Sequence, residues 1–170
     1  MQLQDKNIIL TGFMGTGKTT VGKYLANILN YDFIDTDEEL ERIENHSISD
    51  IFNNFGEEYF RQKEKNICYT LSQKKHCVIS TGGGTLLTSI NYQILEKTGY
   101  IICLKASWNC IVQRLHSDEK TKRPLFLSNG KQLYKLRSSF YDSFLLQVDT
   151  TNKSIPKIAQ EILSCIDFQS

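Results

Sequence analysis

The segment Gly12–Thr19, which reads GFMGTGKT, constrains this chain more than any other feature. It matches the pattern G-x-x-x-x-G-K-[ST], and it lies between an apolar run and a segment with helical spacing. In such a loop, glycines let backbone N–H groups face phosphates, and the following helix adds the positive end of its dipole. Lys18 supplies a charge to the β- and γ-phosphates, and the Thr19 hydroxyl can coordinate Mg²⁺. The sequence therefore predicts a nucleoside triphosphate site on a strand-loop-helix unit.

Apolar runs alternate with segments of helical spacing along the whole chain. This alternation predicts an α/β fold of three layers, in which helices flank a five-stranded parallel sheet on both faces. The predicted strands are Asn7–Thr11, Asp32–Asp35, Cys77–Thr81, Tyr100–Leu104 and Leu146–Asp149, and the predicted helices are Lys18–Leu29, Asp37–Ile43, Ser49–Gln73, Ser89–Glu96, Trp108–Leu115, Lys131–Phe144 and Ile155–Ile166. Ligands bind beyond the carboxyl ends of such strands. We expect one domain over 1–170, with a mobile lid over about 116–130, where Asn129-Gly130 is a turn signal.

Composition narrows the class of partner. The chain has 170 residues, of which 40% are hydrophobic, and a formal net charge of +1, which gives no long-range field for nucleic acid or an acidic membrane. No apolar run approaches the roughly 20 residues that span a bilayer, and the N-terminus lacks the pattern of a signal peptide. The five cysteines contain no CxxC pair and lie mostly among apolar residues, which is typical of reduced core thiols. We therefore expect a cytoplasmic monomer with small-molecule partners.

Two aspartates after the second predicted strand are candidates for binding metal and substrate. The nearest match to the guanine-reading pattern Asn-Lys-x-Asp is Asn152-Lys153-Ser154-Ile155, which lacks the aspartate, so selection of guanine is not expected. The predicted strand Cys77–Thr81 runs into Gly82-Gly83-Gly84, whereas motor-type ATPases end such a strand in an aspartate that holds Mg²⁺. The second carboxylate near the metal must then come from Asp35-Thr36-Asp37, where residues two apart face the same side. One aspartate would serve the metal and the other the substrate. Alternatively, Asp37 only caps a helix that begins at Glu38.

A series of segments resembles the successive signatures of the shikimate kinases. The series covers nearly the whole chain in order, and the joint occurrence at compatible spacing makes the resemblance specific. The segments are Gly12–Thr20, Phe33–Asp37, Ser47–Phe52 with Gly56-Glu57, Phe60–Glu64, Gly82–Gly84, Arg123-Pro124-Leu125, and Arg137 with Tyr141. The resemblance implies transfer of the γ-phosphate of ATP to the 3-hydroxyl of shikimate, giving shikimate 3-phosphate and ADP, a step in the biosynthesis of aromatic amino acids.

Shikimate is a small ring with one carboxylate and three hydroxyls, so its site needs cationic forks and hydrogen-bond acceptors. The resemblance implies that helices over about 37–64 form much of this site. The implied substrate-binding residues are Asp37 for the hydroxyls, Arg61 and Arg137 for the carboxylate, and Gly82, Gly83 and Gly84, where the ring approaches the backbone. By helical spacing alone, Arg61 would instead pair with Glu57 or Glu58 on a helix surface, and Arg137 has a similar helical alternative. The glycines would then form a plain tight turn.

The same resemblance assigns the nucleotide site and the catalytic residues. Asp37 would position or deprotonate the attacking hydroxyl, Lys18 would bind the phosphates, and Arg123 would swing over the transferring phosphate as part of the lid. Arg114 would stack on the adenine. The implied ATP-binding residues are Gly12, Gly15, Thr16, Gly17, Lys18, Thr19, Thr20, Arg114, Arg123 and Lys153, and the implied Mg²⁺ site consists of Thr19 and, through water, Asp35. Without the resemblance, Arg123 would belong to a solvated basic loop with Lys120 and Lys122.

Two other functions compete with this reading. A gluconate-type kinase would share the fold and the phosphate loop but would not need this carboxylate site. A non-catalytic nucleotide-binding regulator would be expected to lose Asp37, Lys18 or Arg123, all of which are present.

The chain departs from the family pattern before Tyr141. It has Ser138-Ser139-Phe140 where the family often has a proline and a leucine, so the start of this helix and the geometry of the lid can differ from the family.

Overall fold

A single parallel sheet organises the chain. The computed structural model describes residues 5–115 and 124–167. Within them, five strands pair in the order β2-β3-β1-β4-β5. The strands are β1 (Asn7–Thr11), β2 (Asp32–Asp35), β3 (Cys77–Ser80), β4 (Gly99–Lys105) and β5 (Leu146–Asp149). The predicted α/β fold with a five-stranded parallel sheet is confirmed, and every predicted strand is found with its ends within one residue.

Helices connect the strands and cover both faces of the sheet. The helices of the described residues are α1 (Lys18–Leu29), α2 (Thr36–Glu44), α3 (Ile48–Ser72), α4 (Ser89–Glu96), α5 (Trp108–Arg114), α6 (Pro124–Asp142) and α7 (Ile155–Asp167), and a 3₁₀ turn covers Thr85–Leu87. On β1, Ile8 and Leu10 pack with α1 and α7, whereas Ile9 packs into the layer that contains α3 and α4. This alternation follows from the period of two in a strand, and it gives the predicted three layers.

The start of α2 decides which aspartate caps the helix. The Asp35 side chain accepts a hydrogen bond from the backbone N–H of Asp37 at 3.0 Å, so Asp35 is the N-cap. Asp37 already lies in the first turn of the helix, which begins at Thr36. The alternative that Asp37 caps a helix starting at Glu38 is therefore wrong. A preceding residue does the capping, and the carboxylate of Asp37 is directed elsewhere.

The segment predicted as a lid contains part of a helix. We predicted an irregular stretch over about 116–130 and a helix from Lys131, but α6 begins at Pro124. Proline favours the first turn of a helix because its φ is already set. The turn signal at Asn129 is expressed as a break inside the helix, with φ −153° and ψ 31°. Arg123 and the rest of the predicted lid before Pro124 lie outside the described residues.

The cysteines belong largely to the core, as predicted. Cys68, Cys77, Cys103 and Cys110 are buried and free, and Cys165 is half-buried. Burial raises the pKa of Cys68 and of Cys103 to about 12, so both thiols stay protonated and unreactive at neutral pH. Both side chains pack in the hydrophobic core, Cys68 from α3 and Cys103 from β4.

Candidate active site

The phosphate loop leaves the end of β1 and runs into α1. Gly12 has φ 136°, and a Cβ at this position would lie 2.2 Å from the carbonyl oxygen of Leu104 on β4, so only glycine fits. Lys18 is buried, and its Nζ donates to the carbonyl oxygens of Gly12 at 2.8 Å and of Phe13 at 3.1 Å. The loop's own carbonyls thus hold the ammonium group next to the backbone N–H groups that would bind phosphates.

A buried hydroxyl braces the loop from below. Thr150, which is fully buried after β5, contacts the carbonyl oxygens of Thr16 at 2.9 Å and of Lys105 at 3.0 Å through Oγ1. Arg114 donates to Thr150 Oγ1 at 3.0 Å and to the carbonyl oxygen of Gly15 at 3.3 Å. Thr16 directly, and Gly15 through Arg114, are therefore tied to the ends of β4 and β5. Gly17 is the N-cap of α1, with φ 95°. Thr20, the last of the predicted phosphate-side residues, is exposed in the first turn of α1.

Thr19 and Asp35 meet between α1 and the end of β2. Thr19 Oγ1 donates to Asp35 Oδ2 at 2.9 Å, although the two residues come from different strand-helix units. A hydroxyl and a carboxylate at this distance suit Mg²⁺, which prefers hard oxygen ligands and keeps several waters. No group of three His, Cys, Asp or Glu side chains that could hold a metal occurs among the described residues. An ion here would therefore take most of its ligands from phosphate and water.

A buried hydroxyl at the end of β3 is also compatible with this ion. Ser80 ends β3, pairs with Asp35 across the sheet, and is 1% exposed. Its Oγ has no hydrogen-bond partner among the described residues, although buried polar groups are nearly always satisfied. Ser80 occupies the position at which motor-type ATPases have an aspartate, so a polar atom is present there without a charge. The residues around this point are compatible with a hydrated divalent ion.

The glycine turn, Gly82–Gly84, follows β3 and lies against both Asp37 and the phosphate loop. A Cβ on Gly82 would lie 2.5 Å from Asp37 Oδ1, and the N–H of Gly82 donates to Thr36 Oγ1 at 2.9 Å. A Cβ on Gly83 would lie 3.7 Å from the carbonyl oxygen of Gly12. The missing side chains therefore let the turn approach the Asp37 carboxylate on one side and the phosphate loop on the other.

Two arginines converge on the same turn. A Cβ on Gly84 would lie 3.3 Å from Arg61 Nη1 and 3.5 Å from Arg137 Nη2. Arg137 also donates to the carbonyl oxygen of Gly83 at 3.3 Å. Two guanidinium groups at one glycine repel each other unless an anion lies between or beside them, and their planar donor forks match a carboxylate. The arrangement is chemically suited to the carboxylate of a small acid.

Carboxylates of the same helix balance Arg61. Nη1 pairs with the buried Glu64 at 2.6 Å, and Nη2 pairs with the exposed Glu57 at 3.1 Å. Burial lowers the pKa of Arg61, but the two ion pairs outweigh it and hold the pKa above its ordinary value. The alternative of a helix-surface pair with Glu57 is thus present in the structure together with the contact to Gly84, and the two do not exclude each other.

A cavity of about 420 Å³ opens over these groups. Its volume suits a small metabolite. It is lined by Glu57, Arg61, Gly84, Leu87, Thr88, Leu133, Leu136, Arg137 and Phe140. Cationic forks thus lie beside an apolar wall, which suits a ring that bears a carboxylate.

Arg114 and Lys153, two of the predicted ATP-binding residues, contact other residues of the protein. Arg114 donates to the Thr150 carbonyl oxygen at 2.7 Å as well as to the phosphate loop, so it lies under the loop. Lys153 pairs with Glu161 of α7 at 2.7 Å. Stacking of Arg114 on adenine remains a prediction. Arg123, predicted to cover the transferring phosphate, lies outside the described residues.

Sequence reasoning missed the buried groups that hold the site together. Thr36, Thr85 and Thr150 carry no motif of their own, because a buried hydroxyl looks like any other threonine in a sequence. Glu64 could have been found from its position three residues after Arg61 on a helix, where side chains face each other. Contacts with residues far away in the sequence give the three threonines their roles.

Comparison with known proteins identifies the family. The sequence profile described as shikimate kinase matches residues 14–167. The chain belongs to the shikimate kinase family. A shikimate kinase of Caldanaerobacter subterraneus subsp. tengcongensis is 43% identical over 164 residues, covering 93% of this chain and 94% of the relative. One of Thermoanaerobacter pseudethanolicus is 39% identical over 163 residues, with the same coverage.

Solved structures agree with the family and with the fold. The shikimate kinase from Acinetobacter baumannii, solved in complex with shikimate, is 33% identical to this chain, with a TM-score of 0.90 and coverage of 99% of this chain and 96% of that one. A gluconokinase from Sinorhizobium meliloti is 17% identical with a TM-score of 0.61, which is a likeness of fold alone. Among the described residues, no helix combines the length and apolar character needed to cross a bilayer.

Proposed function

We propose that this chain transfers the γ-phosphoryl group of ATP to the 3-hydroxyl of shikimate, giving shikimate 3-phosphate and ADP in the biosynthesis of aromatic amino acids. Membership of the shikimate kinase family supports this activity. The Acinetobacter baumannii relative was solved with shikimate bound, which supports the same acceptor for this chain.

One observation carries the proposal. The glycine turn lies between the phosphate loop and the arginine pair, because a Cβ on Gly83 would lie 3.7 Å from the Gly12 carbonyl oxygen and 3.8 Å from Arg137 Nη1. A small acid held by Arg61 and Arg137 would therefore lie beside the phosphates of a nucleotide. This is the alignment of acceptor and donor that phosphoryl transfer requires.

The residues of this chain divide the reaction between them. The 3-hydroxyl oxygen attacks the γ-phosphorus, the bond to the β,γ-bridging oxygen breaks, and ADP leaves. Asp37, at the edge of the turn, orients that hydroxyl and accepts its proton. Lys18 and the N–H groups of the loop stabilise the charge on the phosphate oxygens. Arg123 would add a further positive charge from the lid.

A hydrated Mg²⁺ fits beside Thr19 and Asp35, and it would neutralise charge on the β- and γ-phosphates. In this arrangement Asp35 has two tasks, since it also caps α2 through its other oxygen. The cap fixes the direction of the carboxylate before any ligand binds.

We further infer one kinase domain over 1–170 that works as a cytoplasmic monomer. Sedimentation of the purified protein tests the oligomeric state.

A coupled assay for ADP tests the function across acceptors. Purified protein with ATP and Mg²⁺ should release ADP when shikimate is present, and not when gluconate replaces it. Equal turnover with gluconate, or none with shikimate, would overturn the proposal. Asp37→Asn should lower kcat by at least about a hundredfold with little effect on the KM for ATP. Asp32→Asn is the matched control, because Asp32 lies exposed at the other end of β2.

A further inference from the structure

A buried chain of hydrogen bonds lies behind the arginine clamp, which consists of Arg61 and Arg137. Glu64, on α3, is 3% exposed, and each of its carboxylate oxygens has a separate partner. Oε2 pairs with Arg61 Nη1 at 2.6 Å, and Oε1 accepts a hydrogen bond from Thr85 Oγ1 at 2.7 Å. Thr85 is fully buried in the 3₁₀ turn that follows the glycines. The Thr85 hydroxyl is thereby connected, through Glu64, to the guanidinium group of Arg61, which lines the cavity.

Two hydrogen bonds hold the backbone of Thr85, one from each side. Its N–H donates to the carbonyl oxygen of Gly82 at 3.2 Å, and its carbonyl oxygen accepts from Asn91 Nδ2 at 3.0 Å. The position of the hydroxyl is therefore set by the glycine turn itself. A buried carboxylate oxygen without a donor is costly. Without the Thr85 hydroxyl, Glu64 would be expected to turn toward another donor and to carry Arg61 with it.

The other edge of Arg61 has a different kind of partner. Nε and Nη2 contact Glu57 Oε1 at 3.3 Å and 3.1 Å. Glu57 is exposed and lines the cavity, and an exposed ion pair is weak. A carboxylate in the cavity can replace Glu57 on this edge, but it cannot replace the buried Glu64 on Nη1.

We propose that Thr85 is a positioning residue for substrate recognition: it fixes Glu64, which holds Arg61 so that its exchangeable edge faces the carboxylate of the acceptor. The inference rests on the proposed function, since it needs an acceptor that bears a carboxylate. It adds to that function a mechanical link, through which the turn that receives the ring also aims the group that binds the acid.

Replacement of the hydroxyl tests the link. Thr85→Val keeps the branched shape and removes the donor, whereas Thr85→Ser keeps the donor. Thr85→Val should raise the KM for shikimate about tenfold, while kcat and the KM for ATP change less than about twofold. Thr85→Ser should restore the KM for shikimate. The matched control is Thr98→Val, because the Thr98 hydroxyl also donates to a partly buried acceptor, the Leu95 carbonyl oxygen, but Thr98 lies just before β4, away from the site.

A second readout separates positioning from general damage. The ratio of kcat/KM for shikimate to that for its methyl ester reports recognition of the acid, and it should fall about tenfold in Thr85→Val but not in Thr98→Val. This ratio and KM are independent of the fraction of folded enzyme, so a loss of stability does not obscure them.

Each remaining outcome contradicts the inference. An unchanged KM for shikimate in Thr85→Val, an equal rise in the KM for ATP, an unchanged acid-to-ester ratio, or a serine variant that resembles the valine variant would overturn it while leaving the proposed function in place. A wild-type protein that does not phosphorylate shikimate would overturn both.

Discussion

The phosphate loop and the arginine clamp lie on either side of the same glycine turn, but they are built in different ways. The loop is a continuous segment whose backbone provides most of the polar groups, and even the Lys18 ammonium bonds to loop carbonyls. The clamp is assembled from side chains of α3 and α6 that are far apart in sequence, and buried carboxylate and hydroxyl groups hold it. The difference indicates that the phosphate loop is encoded locally, whereas the acceptor recognition proposed for the clamp depends on the tertiary fold.

Removing the lysine should have the largest effect and should fall on the phosphate side. Lys18→Met should lower kcat about a thousandfold, because a preorganised charge at the transferring phosphate is lost. Steady-state kinetics with both substrates measure it. Lys23→Met, an exposed lysine of the same helix, is the matched control and should behave as wild type. If both variants lost activity equally, the loop would not have the special role assigned to it.

Removing one arginine should affect the acceptor side. Arg61→Ala should raise the KM for shikimate about thirtyfold and leave the KM for ATP nearly unchanged, since a forked, charge-assisted contact is lost. Arg61→Lys keeps the charge but not the fork and should restore only part of the affinity. The exposed Arg42→Ala on α2 serves as control. A matching rise in the KM for ATP would erase the proposed division between the two sides.

The glycine turn joins the two sides, and its three glycines should not be equivalent. In Gly82→Ala, the new Cβ would lie 2.5 Å from Asp37 Oδ1 and 2.9 Å from Thr85 Oγ1. The free energy of unfolding should therefore fall by about 1–3 kcal/mol. Gly83→Ala has no contact closer than 3.7 Å and should cost less than about 1 kcal/mol. Denaturant unfolding compares them. Equal losses of stability would show that the close packing around Gly82 does not matter.

The smallest effect concerns a hydroxyl under the turn. Tyr141 is 4% exposed and donates to the Gly83 carbonyl oxygen, and burial raises its pKa to about 12. A phenol in the unfolded chain ionises near pH 10, so the stability gained from the buried neutral form is complete below pH 10 and is lost as pH rises to 12.

Comparison with Tyr141→Phe isolates this contribution. The variant should lose about 1 kcal/mol of stability at pH 7, and its stability should fall less steeply between pH 10 and 12. The buried thiols Cys68 and Cys103 titrate in both proteins, so the difference between the two curves reports Tyr141 together with its interaction with Cys103. Urea unfolding at a series of pH values measures the curves, and parallel curves would contradict the assignment.

Features that depend on near neighbours in the sequence could be predicted, whereas most contacts between distant residues could not. The strands and the phosphate loop were predictable, because hydrophobic period and a contiguous motif depend on near neighbours. Arg61 and Arg137 were found through the family resemblance, whereas their spacing alone favoured pairs on a helix surface. The capping role of Asp35 and the early start of α6 at Pro124 were missed, since helix ends depend on a few competing local contacts. The Thr85–Glu64 contact connects residues 21 apart in sequence, and no local pattern marks it.

The most direct test of the account is the identity of the product. Incubation of the protein with ATP, Mg²⁺ and shikimate, followed by ³¹P and ¹H NMR, should show shikimate phosphorylated on its 3-oxygen and one ADP for each product molecule. ADP without a phosphorylated ring, or phosphate on a different oxygen, would contradict the proposed alignment of the acceptor between Asp37, the arginine clamp and the phosphate loop.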